Sequence, residues 1–232
     1  TVTNASQIRS WNWRRAPTEP GTFRARLRQV VTEIEGMKFS APPALRVFAH
    51  GSAATPQSFT ADLVFTAPKL DAPWGELERL SLTAKLAPSA ANPGLARVDA
   101  DLSVEGLRTA WGDARHSQFT ARVNCSLTNA APFDADWTWN ADAAETRWAK
   151  AHKVRLTAHT ENVATNAALL KTKLALIAER IEHPSAKAND ARADLVVEHS
   201  LTELKHFRAK GQFTVSGLST KWGDAESLLV NA

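Results

Sequence analysis

The chain has 232 residues, enough for one sizeable core or one extended repeat array. Its 28 basic and 24 acidic side chains are interspersed, and the aromatic residues fall on the opposite face from most Lys and Arg, which argues against a nucleic-acid surface. The single cysteine, Cys125, permits no internal disulfide and reads as a small buried hydrophobe; tyrosine is absent, and no apolar run approaches the ~20 residues of a membrane-spanning helix.

Residues 1–20 read as a frayed entry or the remnant of an earlier repeat: Trp11 and Trp13 alternate, then Pro17, Pro20 and Gly21 interrupt. Residues 21–232 read as one repetitive domain. The chain starts at Thr1 and stops at Ala232 just after Leu228 and Val230 open a new strand, so the expectation is a segment of a longer protein whose targeting signals lie elsewhere.

The first unit offers Phe23, Ala25 and Leu27, then Leu45 and Val47. Next, Phe59, Ala61, Leu63 and Phe65 alternate with polar residues ahead of Trp74-Gly75-Glu76, and Leu80, Leu82, Ala84 and Leu86 alternate after it. Val98, Ala100, Leu102 and Val104 precede Trp111-Gly112-Asp113, and Phe119, Ala121, Val123, Cys125 and Leu127 follow. Phe133, Ala135, Trp137 and Trp139 precede Trp148-Ala149-Lys150, and Val154, Leu156 and Ala158 follow. Leu170, Leu174 and Leu176, then Ala193, Leu195 and Val197, flank a slot at Ser185 that lacks its tryptophan. Phe207, Ala209, Phe213 and Val215 lead to Trp222-Gly223-Asp224. Trp74, Trp111 and Trp148 are 37 residues apart and Trp222 lies twice that distance on, so the chain is a repeat array.

Period-two alternation marks half-buried strands, and Trp-Gly-acid is turn chemistry. Two strands per unit with short connections pair antiparallel, because parallel strands need long crossovers. The expected fold is all-β: an extended antiparallel meander of about twelve strands from ~37-residue repeats, curled into a groove or flattened tube. Tight turns, as from Glu105-Gly106-Leu107 through Trp111-Gly112, line one rim; longer loops such as Pro88 to Gly94 line the other. The stretch Asn166 to Ile181 also fits an apolar helical stripe, but the repeat register favours a strand.

Catalytic signatures are missing: no phosphate-binding glycine loop, nucleophile elbow or paired-histidine metal motif occurs. None of the seven histidines pairs with a His, Cys or carboxylate at metal-ligand spacing, and they read as polar-face or loop residues, with His199 on the inward parity of its strand. Asp99 with Asp101, and Asp134 with Asp136, each share one strand face and read as solvated charges rather than an acid/base pair. Two glycosylation sequons, at Asn4 and Asn124, have no supporting context. The repeated tryptophans either pack over the next unit or line a rim suited to a membrane interface.

The apolar face has two readings. It is either a closed core or the lining of an open trough, which acyl chains would fill without specific polar contacts. The lining set is Leu63, Phe65, Leu80, Leu82, Leu102, Val104, Phe119, Val123, Trp137, Trp139, Leu156, Leu174, Leu195, Val197, Phe213 and Val215.

Segments such as Val98-Asp99-Ala100-Asp101-Leu102-Ser103-Val104-Glu105-Gly106-Leu107, each followed by a turn and a run like Leu80-Ser81-Leu82-Thr83-Ala84, resemble repeats of the AsmA-like superfamily, the TamB- and YhdP-type envelope proteins of diderm bacteria. The resemblance covers residues 22–232. It implies a hydrophobic β-groove carrying phospholipid between inner and outer membranes, a periplasmic location with inner-membrane anchorage outside this chain, and no catalytic residue, cofactor or metal. The regular Trp-Gly turn is no part of this resemblance. The alternatives are a structural or adhesive β-repeat stalk with a closed core and, less consistent with the charged polar face, a twelve-stranded outer-membrane barrel. An enzyme is the least supported class.

Overall fold

A computed structural model describes residues 37–52, 55–90, 95–125, 133–163, 166–200 and 207–231. The expected entry at Thr1–Pro20, the strand at Phe23–Leu27 and the tip of the Pro88–Gly94 loop lie outside those residues. Twelve strands run in chain order: β1 Lys38–Phe39, β2 Ala44–Ser52, β3 Thr55–Ala72, β4 Gly75–Pro88, β5 Ala96–Thr109, β6 Gly112–Cys125, β7 Phe133–Thr146, β8 Lys150–Val163, β9 Asn166–His183, β10 Ala186–Ser200, β11 Phe207–Thr220 and β12 Gly223–Asn231. They form one antiparallel sheet in which every strand from β3 to β12 pairs with its sequence neighbours. β1 and β2 both pair with β3, at its two ends. β12 pairs with β11 alone, so the described sheet is open and is not a barrel.

The ambiguous stretch at Asn166 is a strand of 18 residues, β9. Its side chains pair in register with β10 from Leu169↔Ser200 to His183↔Ala186, and that ladder settles the helix alternative. Two connections differ from expectation. Glu105, Gly106 and Leu107 belong to β5, and the turn is only Ala110-Trp111. Between β8 and β9 the long-loop rim holds just residues 164–165.

The larger departure is in the pleat. Strict alternation predicts inward residues two apart throughout. Each of the nine strands from β3 to β11 instead has one place where they are three apart: Ala67/Leu70, Leu77/Leu80, Val104/Leu107, Ala114/Ser117, Ala141/Ala144, Val154/Ala151, Ala178/Ile181, Ala188/Ala191 and Val215/Leu218. On five strands the extra residue takes a left-handed backbone: Arg79 (φ 50°), His116 (48°), Lys153 (45°), Arg180 (46°) and Gly217 (61°). A left-handed residue turns the strand about its own axis, so two successive side chains face outward, as Glu78 and Arg79 do. Because both partners carry the extra residue, most ladders resume unshifted: Ala67↔Leu80 and Lys69↔Glu78 skip only Pro68 and Arg79.

These faults align across the sheet into a crease. Leu70, Leu77, Leu80 and Val104 form one buried cluster along it, with Phe65, Leu82, Leu102 and Leu107 packed from both sides. Ala188, Ala191 and Val215 form a second. The inner side chains flanking the crease are mostly buried. Farther from it many inner residues stay half exposed, while Ala96, Ala135, Ala158, Thr160, Leu170 and Thr172 are buried toward the other rim; no described side chain is less than 2 % exposed.

The turn glycines explain how hairpins stack. A Cβ on Gly75 would strike the carbonyl of Arg108, and one on Gly112 the carbonyl of Glu145, each on the next hairpin. The third turn has Ala149 instead, and there the next ladder is irregular: Lys150↔Glu182 is followed by His152↔Glu179. An added methyl at the tightest point coincides with the one displaced hairpin junction at this rim.

Candidate functional site: the creased apolar face

Antiparallel register carries inward residues across the sheet in continuous rows. One row runs Phe65, Leu82, Leu102, Phe119, Trp139, Leu156, Leu176, Ala193, Phe213 and Val230. A second begins Leu63, Ala84, Ala100, Ala121 and Trp137, then Ala158, Leu174 and Leu195. Bulk in the first row stands beside alanine in the second over β4 to β6, and the Phe119 and Trp137 rings lie 5.8 Å apart. Val123 and Val197 belong to a third row toward the long-loop rim.

All sixteen sequence-selected residues lie on this face. Thirteen keep part of their surface exposed; Leu195 and Phe213 are 38 % and 41 % exposed. Leu80, Val104 and Val215 are buried, because they flank the crease, and they offer a ligand almost no surface. Cys125 is partly exposed rather than buried, at the end of β6. Ser117, in the crease and 5 % exposed, has a hydroxyl with no hydrogen-bond partner among the described residues. Beyond the crease, Thr160 and Thr172 join their hydroxyls at 3.0 Å, so that buried polar pair is satisfied.

The outer face is built from the alternate residues and is charged. One row reads Lys85, Asp99, Arg122, Asp136, His159 and Lys173 over six adjacent strands, with sign alternating as far as His159. Arg97 grips Asp99 through two bonds of 2.8 and 2.9 Å, and Arg122 adds a third at 3.2 Å. Hydrogen bonding from Arg97 is the main reason that the Asp99 carboxyl is held below the ordinary carboxylate range. At the crease, outward residues pair between neighbouring hairpins: Arg79 with Glu105, His116 with Asp142 at 3.1 Å, and Lys153 with Glu179 at 2.8 Å. Both members of these pairs recur every 37 residues.

Cross-strand register also makes one cluster that spacing in the chain conceals. Asp134, Asp136 and His159 bring ligand atoms within 4.8 Å of one another, and Glu161 stands opposite Asp134. His159 and Asp136 are already bonded to each other at 2.9 Å. That bond, with the surrounding carboxylates, raises the His159 pKa against a smaller effect of burial. Arg122 stands opposite Asp136 and Lys173 opposite His159, and Lys173 pairs with Glu161 at 3.8 Å. The cluster therefore behaves as part of the charge ladder.

The tight-turn rim has its own construction. Thr109 accepts bonds from the N–H groups of Trp111 and Gly112, both at 3.2 Å, and donates to the Gly112 carbonyl at 2.9 Å. Thr146 and Thr220 repeat the arrangement around Trp148 and Trp222. The Thr-x-Trp signal is visible in the sequence at all three turns. In the slot without tryptophan, His183 Nδ1 accepts from the Ser185 N–H at 3.1 Å in the threonine's place. The tryptophans do not pack over the next unit: Trp74, Trp111, Trp148 and Trp222 are 46, 72, 57 and 78 % exposed.

No family model, curated protein or solved structure matches the chain. Among the described residues, no helix is long and apolar enough to cross a membrane.

Proposed function

We propose that the creased apolar face is a groove that shields phospholipid acyl chains, as part of a bacterial envelope protein passing lipid between inner and outer membranes. The observation that carries this is the row from Phe65 to Val230, which crosses ten strands, is apolar throughout and is covered by no second layer among the described residues. Each acyl CH₂ moved from water onto such a surface gains ~0.8 kcal/mol and needs no polar partner. A continuous row lets a chain slide without meeting a barrier, and the direction of transfer comes from elsewhere. The likeness of the repeats to the AsmA-like superfamily supports the envelope setting, with membrane anchorage through segments outside this chain. The stalk alternative needs a closed core, and the half-exposed aromatic row weighs against it.

The test is organic extraction and native mass spectrometry of the purified chain, together with photocrosslinking from positions 102 and 119. Co-purified phospholipid and lipid adducts are expected. Protein adducts alone, with no extractable lipid, would favour the stalk.

A further inference from the structure

We infer that the tight-turn rim is a bilayer-docking edge, in which Trp74, Trp111, Trp148 and Trp222 enter the interfacial layer of a phospholipid membrane. The inference stands on the rim turns and does not depend on what the groove holds. Four of the five hairpin turns place an indole at the tip, and all four indoles are substantially exposed. Large aromatic side chains left in water cost free energy without helping the fold, and here that arrangement recurs at every 37-residue step except one. The threonine clamps hold the Trp111, Trp148 and Trp222 N–H groups, so these turns are fixed supports. Successive hairpins advance by two strands, which spaces the tips by ~10 Å in a single line.

The chemistry of the tips selects a lipid interface. The residues just before the indoles are Pro73, Ala110, Arg147 and Lys221, so no acid adjoins an indole in the chain, and Glu76, Asp113 and Asp224 follow two residues after theirs. The Arg147 guanidinium lies 4.1 Å over the Trp148 ring and the Lys221 ammonium 4.5 Å over the Trp222 ring. A cation stacked on an indole suits the level where lipid phosphates meet glycerol. Nearby acids are mostly answered along the strands: Glu76 by Lys69 at 3.1 Å and Glu145 by Lys150 at 2.8 Å. A protein partner would call for a compact central anchor surrounded by a rim, whereas separate indoles in a line suit a fluid surface.

The experiment is co-sedimentation of the full chain with large unilamellar vesicles of equal parts phosphatidylcholine and phosphatidylglycerol. It is run on the wild type, on each single variant W74A, W111A, W148A and W222A, and on the quadruple variant. Wild type should pellet with vesicles, each single substitution should weaken partitioning by roughly ten-fold, and the quadruple variant should remain in the supernatant with its β-sheet circular dichroism intact. Wild-type emission should shift to the blue on binding and be quenched by bromine placed near the glycerol level. A wild type that stays in the supernatant, or a folded quadruple variant that pellets equally well, would overturn the inference. Lipid extraction from the quadruple variant reads the groove separately, since the groove-lining residues remain unaltered in it.

Discussion

His159 shows how a residue's behaviour is set by the strand opposite. Its imidazole accompanies Asp136 at 2.9 Å, with Glu161 3.7 Å away and Lys173 across the next ladder. The bond to Asp136 raises its pKa above the ordinary 6.5, with Asp134 and Glu161 adding to the effect and burial opposing it. A group whose folded pKa is raised contributes stability that is complete below the unfolded pKa and is lost as pH rises through the folded value. The urea midpoint should therefore fall over the window from just below 6.5 upward, and His159→Gln should remove that part of the slope. The side chain is 35 % exposed and the pair is screened by solvent, so the difference should stay within ~1 kcal/mol. Equal pH slopes in the two proteins would show that the pair contributes nothing. The sequence could not reveal this contact: His159 and Asp136 are 23 positions apart, and only the register of β7 against β8 makes them neighbours. By contrast, the inward position of Leu102 or Phe119 followed directly from alternation with Asp101 and Thr120.

At the scale of the strand, the informative feature is the one the alternation rule missed. Arg79, His116 and Lys153 break the pleat, yet each carries a Cβ and so bears the cost of a left-handed backbone. Glycine at the same place would avoid that cost, and Gly217 does so in β11. His116 is the clearest test, since its ion-pair partner among the described residues is Asp142, in an exposed pair worth little. His116→Gly should leave the urea unfolding free energy unchanged or raise it by up to ~1 kcal/mol. His116→Val, β-branched and ill suited to positive φ, should lower stability by about 1–3 kcal/mol. If the two variants unfold together, the crease does not depend on the conformation at position 116. The signal for the crease was present in the chain: Leu77 and Leu80, or Ala114 and Ser117, stand three apart with two polar residues between. It was unreadable because one extra residue in a single strand flips its face, and only matching extra residues in every partner keep the apolar side continuous.

For the whole molecule, the strand count, the antiparallel order and the rim of tight turns all followed from one 37-residue period. A repeat of that length with two alternating runs has few ways to bury its apolar side. What the period leaves open is how a one-layer sheet holds together. Each hairpin touches only its neighbours, so stability is close to a sum over adjacent ladders. The central strands β5 to β9 have full ladders on both sides, whereas β12 is paired on one side only and every residue of it is exposed. Leu228, Leu229 and Val230 are 44, 52 and 45 % exposed there. Opening β12 therefore breaks one ladder, and opening β7 breaks two and splits the sheet. Hydrogen exchange followed by mass spectrometry on the isolated chain should show protection falling from β7 through β10 to β12, with opening free energies graded rather than common to all strands. A single shared value would mean that the sheet opens as one unit, and nearest-neighbour addition would then be the wrong account of its stability. A lipid seated along the apolar row would change the gradient in a specific way. It touches many strands at once, so it should raise protection in the middle of the sheet most and bring the graded values closer together.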